Sequence, residues 1–133
     1  SGAQTTATAS HLRKIARGIW SMPPDHGAAI VARILGDAKL NEDWRNEVDA
    51  MRNRMLSLRS ALSAALAKTC SAEMASVIEK QRGMFSTIPV TPEAADTLRQ
   101  QHHIYMTRDG RINIAGVSME AVDYIAKAIG SVA

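Results

Sequence analysis

Residues 104–116 read Ile104-Tyr105-Met106-Thr107-Arg108-Asp109-Gly110-Arg111-Ile112-Asn113-Ile114-Ala115-Gly116. Here a chain of otherwise helical periodicity turns to strand. Ile104-Tyr105-Met106 and Ile112-Asn113-Ile114 alternate with period two, which predicts strands. Asp109-Gly110 between them is a turn dipeptide and predicts a hairpin. Arg111 therefore stands at the start of a strand, directly after a glycine. Its guanidinium is permanently charged and presents a planar fork that matches a carboxylate. Strand-borne arginines make firmer anchors than loop-borne ones, although the same position also reads as an ordinary surface arginine of a hairpin.

Outward from this stretch the pattern is helical with one further strand. Gly83 to Pro89 is a short strand bounded by glycine and proline. Thr91-Pro92-Glu93 announces a helix to about His102, with Thr91 as N-cap, Pro92 in the first turn and Glu93 favoured by the helix dipole. Ser118 is expected to cap a closing helix whose Val122, Ile125, Ala126 and Ile129 share a face. Upstream, Leu40, Trp44, Val48, Met51, Met55, Leu58, Leu62 and Leu66 recur every three or four residues, which predicts a helix of about seven turns. A long helix followed by strand, helix, strand, strand and helix is an α+β arrangement.

The N-terminal third is expected to hold a short helix from His11 to Ile19 with Ser10 as its cap. Two prolines, Pro23-Pro24, stop it. An apolar stripe of Ala28, Ile30, Val31, Ile34 and Leu35 then runs to Gly36-Asp37. Arg17 is a second candidate anion anchor, but with Arg13 and Lys14 in the same turns it also reads as part of a solvated face. Residues 1–10 read as a Ser/Thr/Ala-rich lead-in, in part a cloning remnant, ahead of a domain covering 11–133.

The chain has 133 residues, net charge +3 and a pI of about 9.4, which fits one domain with a modest core. Its arginines are dispersed among acids, so no nucleic-acid face is expected. No apolar run reaches the ~20 residues of a membrane span, and no secretory signal is evident. Cys70 is the only cysteine; it excludes an internal disulfide and suggests a cytoplasmic protein. His102-His103 point apart on a helix and lack a third ligand, so no metal is expected. No glycine-rich phosphate loop, activated thiol or buried lysine is evident, so the chain is expected to hold no catalytic residue of its own.

Four motifs occur in order: Arg17-x-x-Trp20-Ser21-x-Pro23-Pro24-x-His26-Gly27-Ala28, Gln81-x-Gly83-Met84-Phe85-Ser86, Ile104-Tyr105-Met106 and Gly110-Arg111-Ile112-Asn113-Ile114-Ala115-Gly116. Together they resemble the C-terminal part of the aspartate and aromatic (tyrosine) aminotransferases, pyridoxal phosphate-dependent enzymes of fold type I. The likeness covers about residues 11–133, with Trp20 standing where the family usually carries Tyr.

That resemblance implies a small C-terminal domain with an intersubunit loop. It implies that Arg111 grips the α-carboxylate of an amino acid or 2-oxoacid. Arg17 would reach the distal carboxylate of a dicarboxylic substrate from a neighbouring subunit, so a homodimer is implied. Phe85 would line the substrate side of the pocket, and Ser21 would lie in the intersubunit loop. The family's Schiff-base lysine and phosphate-binding arginine match nothing here and are expected upstream of residue 1. The isolated chain is accordingly expected to bind no pyridoxal phosphate and to be inactive. The competing expectation is a stand-alone interaction or small-carboxylate-binding domain derived from the family.

Overall fold

The computed structural model describes residues 2–132. Helix α1 covers Gly2–Trp20, α2 His26–Gly36, α3 Ala38–Thr69, α4 Ala72–Lys80, α5 Pro92–His102 and α6 Val122–Gly130. Strands β1 (Phe85–Thr87) and β2 (Arg111–Asn113) pair antiparallel, and two 3-10 turns, Ile114–Gly116 and Met119–Ala121, link β2 to α6. The architecture is α+β. Residues up to Asn46 form one compact unit and those from Glu47 onward a second, with α3 supplying residues to both.

In the N-terminal unit neither α1 nor α2 buries a residue. Leu12, Ile15 and Ile19 on α1 and Ile30, Val31 and Leu35 on α2 are exposed. The junction of α2 and α3 is held locally. The Asp37 carboxylate accepts the N–H groups of Lys39 (3.1 Å) and Leu40 (3.2 Å) and pairs with Arg33 at 3.2 Å. It thereby satisfies two of the donors that a helix start leaves free.

The C-terminal unit has a complete core. Leu58, Leu62 and Leu66 of α3 meet Ile78 of α4, Ile88 after β1, Leu98 of α5, and Ile129 of α6. All are at most 2% exposed, and each such side chain contributes about 1.5–3 kcal/mol relative to exposure. Capping sets the element boundaries. Ser71 accepts the Met74 N–H at 3.1 Å to start α4, and Thr91 accepts the Ala94 N–H at 3.1 Å ahead of Pro92. His103, left-handed at φ 54°, ends α5, and the Ile104 N–H returns to Leu98 O at 3.1 Å.

Three expectations change. Ser10 is no cap: α1 begins at Gly2 and runs through it. Ala3, Ala7 and Ala9 carry high helix propensity, and the Thr6 hydroxyl bonds back to Gly2 O at 3.0 Å rather than breaking the turn. Ile104-Tyr105-Met106 forms no strand among the described residues: β2 pairs with β1, and Thr107 takes the backbone groups of Arg111 on the other edge. The turn at Asp109-Gly110 does form. Ser118 precedes a 3-10 turn, not α6 itself, and makes no side-chain cap bond to the backbone. Helix α4 is an addition that the periodicity of the sequence did not single out.

Candidate functional site

Strand alternation gives the β1–β2 ribbon two faces. Ser86 and Ile112 are buried, while Phe85, Thr87, Arg111 and Asn113 are exposed. The register sets Thr87 opposite Arg111 and Phe85 opposite Asn113, so Phe85 and Arg111 are diagonal neighbours on the outer face. The Arg111 guanidinium carbon lies 4.1 Å from the centroid of the Phe85 ring. Such a cation–π contact contributes about 0.5–1 kcal/mol at an exposed site. The contact is also directional: the ring backs the guanidinium from one side and so limits the directions from which an anion can meet its N–H donors. Among the described residues no carboxylate forms an ion pair with Arg111; the pairs present involve Arg33, Arg52, Arg99 and Arg108.

The backbone that carries Arg111 is tightly determined. Gly110 has φ +80°, and a Cβ there would stand 2.0 Å from Ile88 O. Glycine is thus required for both conformation and space. The Ile88 N–H donates to Gly110 O at 2.9 Å. Thr107 closes the other side: its N–H donates to Arg111 O at 3.1 Å, and its hydroxyl oxygen accepts the Arg111 N–H at 3.1 Å. The Thr107 hydroxyl also donates to Asp109. That bond holds the Asp109 carboxyl below its usual range, with backbone N–H groups and the Arg111 charge adding to the effect.

The strand that carries Phe85 is held by a second set of bonds. Gln81 donates from Nε2 to Thr87 O at 2.9 Å and accepts the Thr87 N–H on Oε1 at 2.8 Å. Arg59 reaches from α3, donating to Gly83 O at 2.6 Å, to Ile78 O at 3.3 Å, and to the Ser86 hydroxyl. Five residues earlier on α3, Arg54 donates to Ala115 O at 3.1 Å and Val117 O at 3.0 Å. By sequence alone Arg59 is one of the dispersed arginines interleaved with acids. The available signal was its place on the apolar stripe, one residue after Leu58 and three before Leu62, on the face that α3 buries.

Arg17 and Ser21 belong to the N-terminal unit, and Arg111 and Phe85 to the C-terminal one. Arg17 is exposed in the last turn of α1, and its carbonyl accepts the Ser21 N–H at 2.9 Å. Ser21 is left-handed at φ 59°, a conformation that costs a non-glycine residue about 1–2 kcal/mol. Next to it Trp20, Met22, Pro23 and Pro24 line an apolar hollow of about 430 Å³. A cleft of about 500 Å³ in the C-terminal unit is lined by Ile104, Met106, Ile112, Val117 and Tyr124 among others, without Arg111. The described residues hold no cluster of metal-ligating side chains and no helix long and apolar enough to cross a membrane.

Comparison with known proteins draws these features together. The family model for aminotransferase class I and II matches residues 2–129. An aromatic-amino-acid aminotransferase of Pseudomonas aeruginosa is 44% identical over 92% of the chain and 31% of its own length. A tyrosine aminotransferase of Rhizobium meliloti is 43% identical over 94% of the chain and 33% of its own length. Among solved structures, an aromatic-amino-acid aminotransferase from Burkholderia pseudomallei covalently bound to pyridoxal phosphate superimposes with a TM-score of 0.91 at 35% identity, over 99% of this chain and 33% of that one. The chain thus spans about a third of the length of these relatives. With matches across nearly all of its residues, the chain belongs to the class I and II aminotransferase family.

Proposed function

We propose that this chain is the substrate-gripping C-terminal part of a pyridoxal phosphate-dependent aromatic or aspartate aminotransferase, its small domain comprising residues 11–133. The observation that carries the reading is Arg111: a guanidinium without a carboxylate ion-pair partner among the described residues, set against Phe85 on a ribbon whose backbone bonds leave it little freedom. Arg111 binds the α-carboxylate of an amino acid or 2-oxoacid bidentately. Phe85 orients the guanidinium and offers an apolar wall to the substrate side chain. The anchored carboxylate then presents the α-carbon in one orientation, which is where such a clamp lowers a barrier.

Arg17 serves the distal carboxylate of dicarboxylic substrates across a homodimer interface, with Ser21 in the loop that enters the neighbouring subunit. The half-buried lone Cys70 supports a cytoplasmic setting. Pyridoxal phosphate supplies an electron sink where it binds. The described residues of this chain do not fit it: all five lysines are exposed on helices, and no lysine lines the clefts described above. Cofactor binding therefore belongs to the longer polypeptide, and the 133-residue chain does not transaminate by itself.

The test is transamination of phenylalanine or aspartate with 2-oxoglutarate by a polypeptide of the relatives' length that carries this chain in frame. Arg111→Ala should lower kcat/KM by about 2–5 kcal/mol of transition-state binding. Unchanged kinetics in that variant would remove the carboxylate role.

A further inference from the structure

Arg59 lies at a core position of α3 and is 4% exposed. No acidic side chain pairs with it among the described residues. Burial pushes its pKa down, and the nearby Arg82 charge adds to this. An apolar side chain would fill the same space without the desolvation cost of several kcal/mol that a buried ion carries. What an apolar side chain cannot do is bond three acceptors on separate segments. The Arg59 fork takes Ile78 O near the end of α4, Gly83 O before β1, and the Ser86 hydroxyl within it.

Ser86 and Phe85 are consecutive in a strand, so their side chains leave on opposite faces. Holding the inward Ser86 hydroxyl fixes the rotation of β1 about its axis and with it the direction of the outward Phe85 ring. Gly83, left-handed at φ +87°, makes the turn into β1, and its carbonyl is the second handle. Arg54 holds Ala115 and Val117 at the exit of β2. Because the strands are antiparallel with Phe85 opposite Asn113, the two arginines of α3 grip the same end of the ribbon.

We infer that Arg59 is a positioning residue: through Ser86 and Gly83 it aims Phe85 at Arg111, and so sets how the carboxylate-binding guanidinium is presented. The inference rests on the carboxylate role of Arg111 for its consequence, but not for its geometry.

The geometry has its own readout. In the 133-residue chain the Arg111 side-chain N–H resonance should be displaced by the Phe85 ring current, and Phe85→Leu should abolish that displacement. Arg59→Lys keeps the charge but not the fork, and Arg59→Met keeps neither. Both should lose most of the displacement while the methyl resonances of Leu62 and Ile129 stay in place. Ser86→Ala, which removes only the strand handle, should lose part of it. A full displacement in folded Arg59→Lys and Arg59→Met overturns the inference. Should both unfold, a full displacement in Ser86→Ala overturns it instead.

Titration with 3-indolepropionate then reads the consequence. Affinity should fall about tenfold in Arg59→Lys, the effect of one weakened charged contact. Absence of binding to the unmodified chain would count against the carboxylate reading alone, since the ring-current comparison decides the positioning role in either case.

Discussion

The two compact units are built on opposite principles. From Glu47 onward, leucines and isoleucines at near-zero exposure enclose a core, and a buried arginine together with glutamine and threonine side chains nearer the surface ties the ribbon's backbone into place. Up to Asn46, two helices with good amphipathic patterns leave every apolar residue at least partly exposed. One helix spans both regimes. On α3 the stripe Leu40, Trp44, Val48, Met51 is exposed, and its continuation Leu58, Leu62, Leu66 is buried. Periodicity thus reports which face of a helix is apolar, while burial depends on what packs there. Arg111 has a rigid frame within its own unit, whereas Arg17 stands at a helix end with no core beneath it.

The comparison breaks most easily along α3. Leu62→Ala should cost about 2–5 kcal/mol, the range for deleting a fully buried leucine. Trp44→Ala, in the exposed part, should stay within about 0.5 kcal/mol. Urea denaturation of both variants checks this, and equal losses would mean that the two parts of α3 are equally packed. Next in size is the split between the arginines. In an active longer polypeptide, Arg17→Leu should cost dicarboxylic substrates about 1.5–3 kcal/mol in kcat/KM, as for one hydrogen-bonded charge, and aromatic substrates little. Losses of the same size on both classes would deny Arg17 its separate role.

Gly110→Ala should destabilise the C-terminal unit by about 1–3 kcal/mol, because a strained φ and a blocked approach to Ile88 coincide. Thermal unfolding reads it, and a wild-type midpoint would show that the turn can relax. The smallest effect concerns Asp109. Its folded-state pKa is depressed, so its contribution is present above the unfolded value near 3.9 and lost as pH falls through the folded one. Asp109→Asn should therefore lower the melting temperature at pH 7 and match the parent at strongly acidic pH. A difference that persists unchanged at low pH would assign the effect to shape and not to charge.

Much of the fold was legible because local chemistry and tertiary packing agree. Thr91-Pro92-Glu93 starts α5 as its residue types demand, and the stripe from Leu40 onward forms one continuous helix. Ile104-Tyr105-Met106 was misread because alternation reports alternating burial, which the segment does show, and not the existence of a pairing partner. Ser10 was misread because a serine ahead of an amphipathic run signals a cap only when the preceding residues cannot themselves be helical. At the candidate site, Arg111 was visible from its glycine turn, and Phe85 from its motif. Arg59 was not, because a lone cation inside an apolar stripe looks like surface until the carbonyls it serves are known.

Two-stranded ribbons expose two rows of backbone donors and acceptors to which foreign chains can add. In this ribbon, at the Thr87–Arg111 end of one rim, the Gln81 amide occupies both the N–H and the C=O of Thr87. On the opposite rim, Thr107 occupies both groups of Arg111. A side-chain amide and a threonine thus stand in for the third and fourth strands of a wider sheet. The outcome is local protection against self-assembly: the ribbon keeps its cationic face open while an incoming β-strand finds the outward backbone groups of Thr87 and Arg111 already taken.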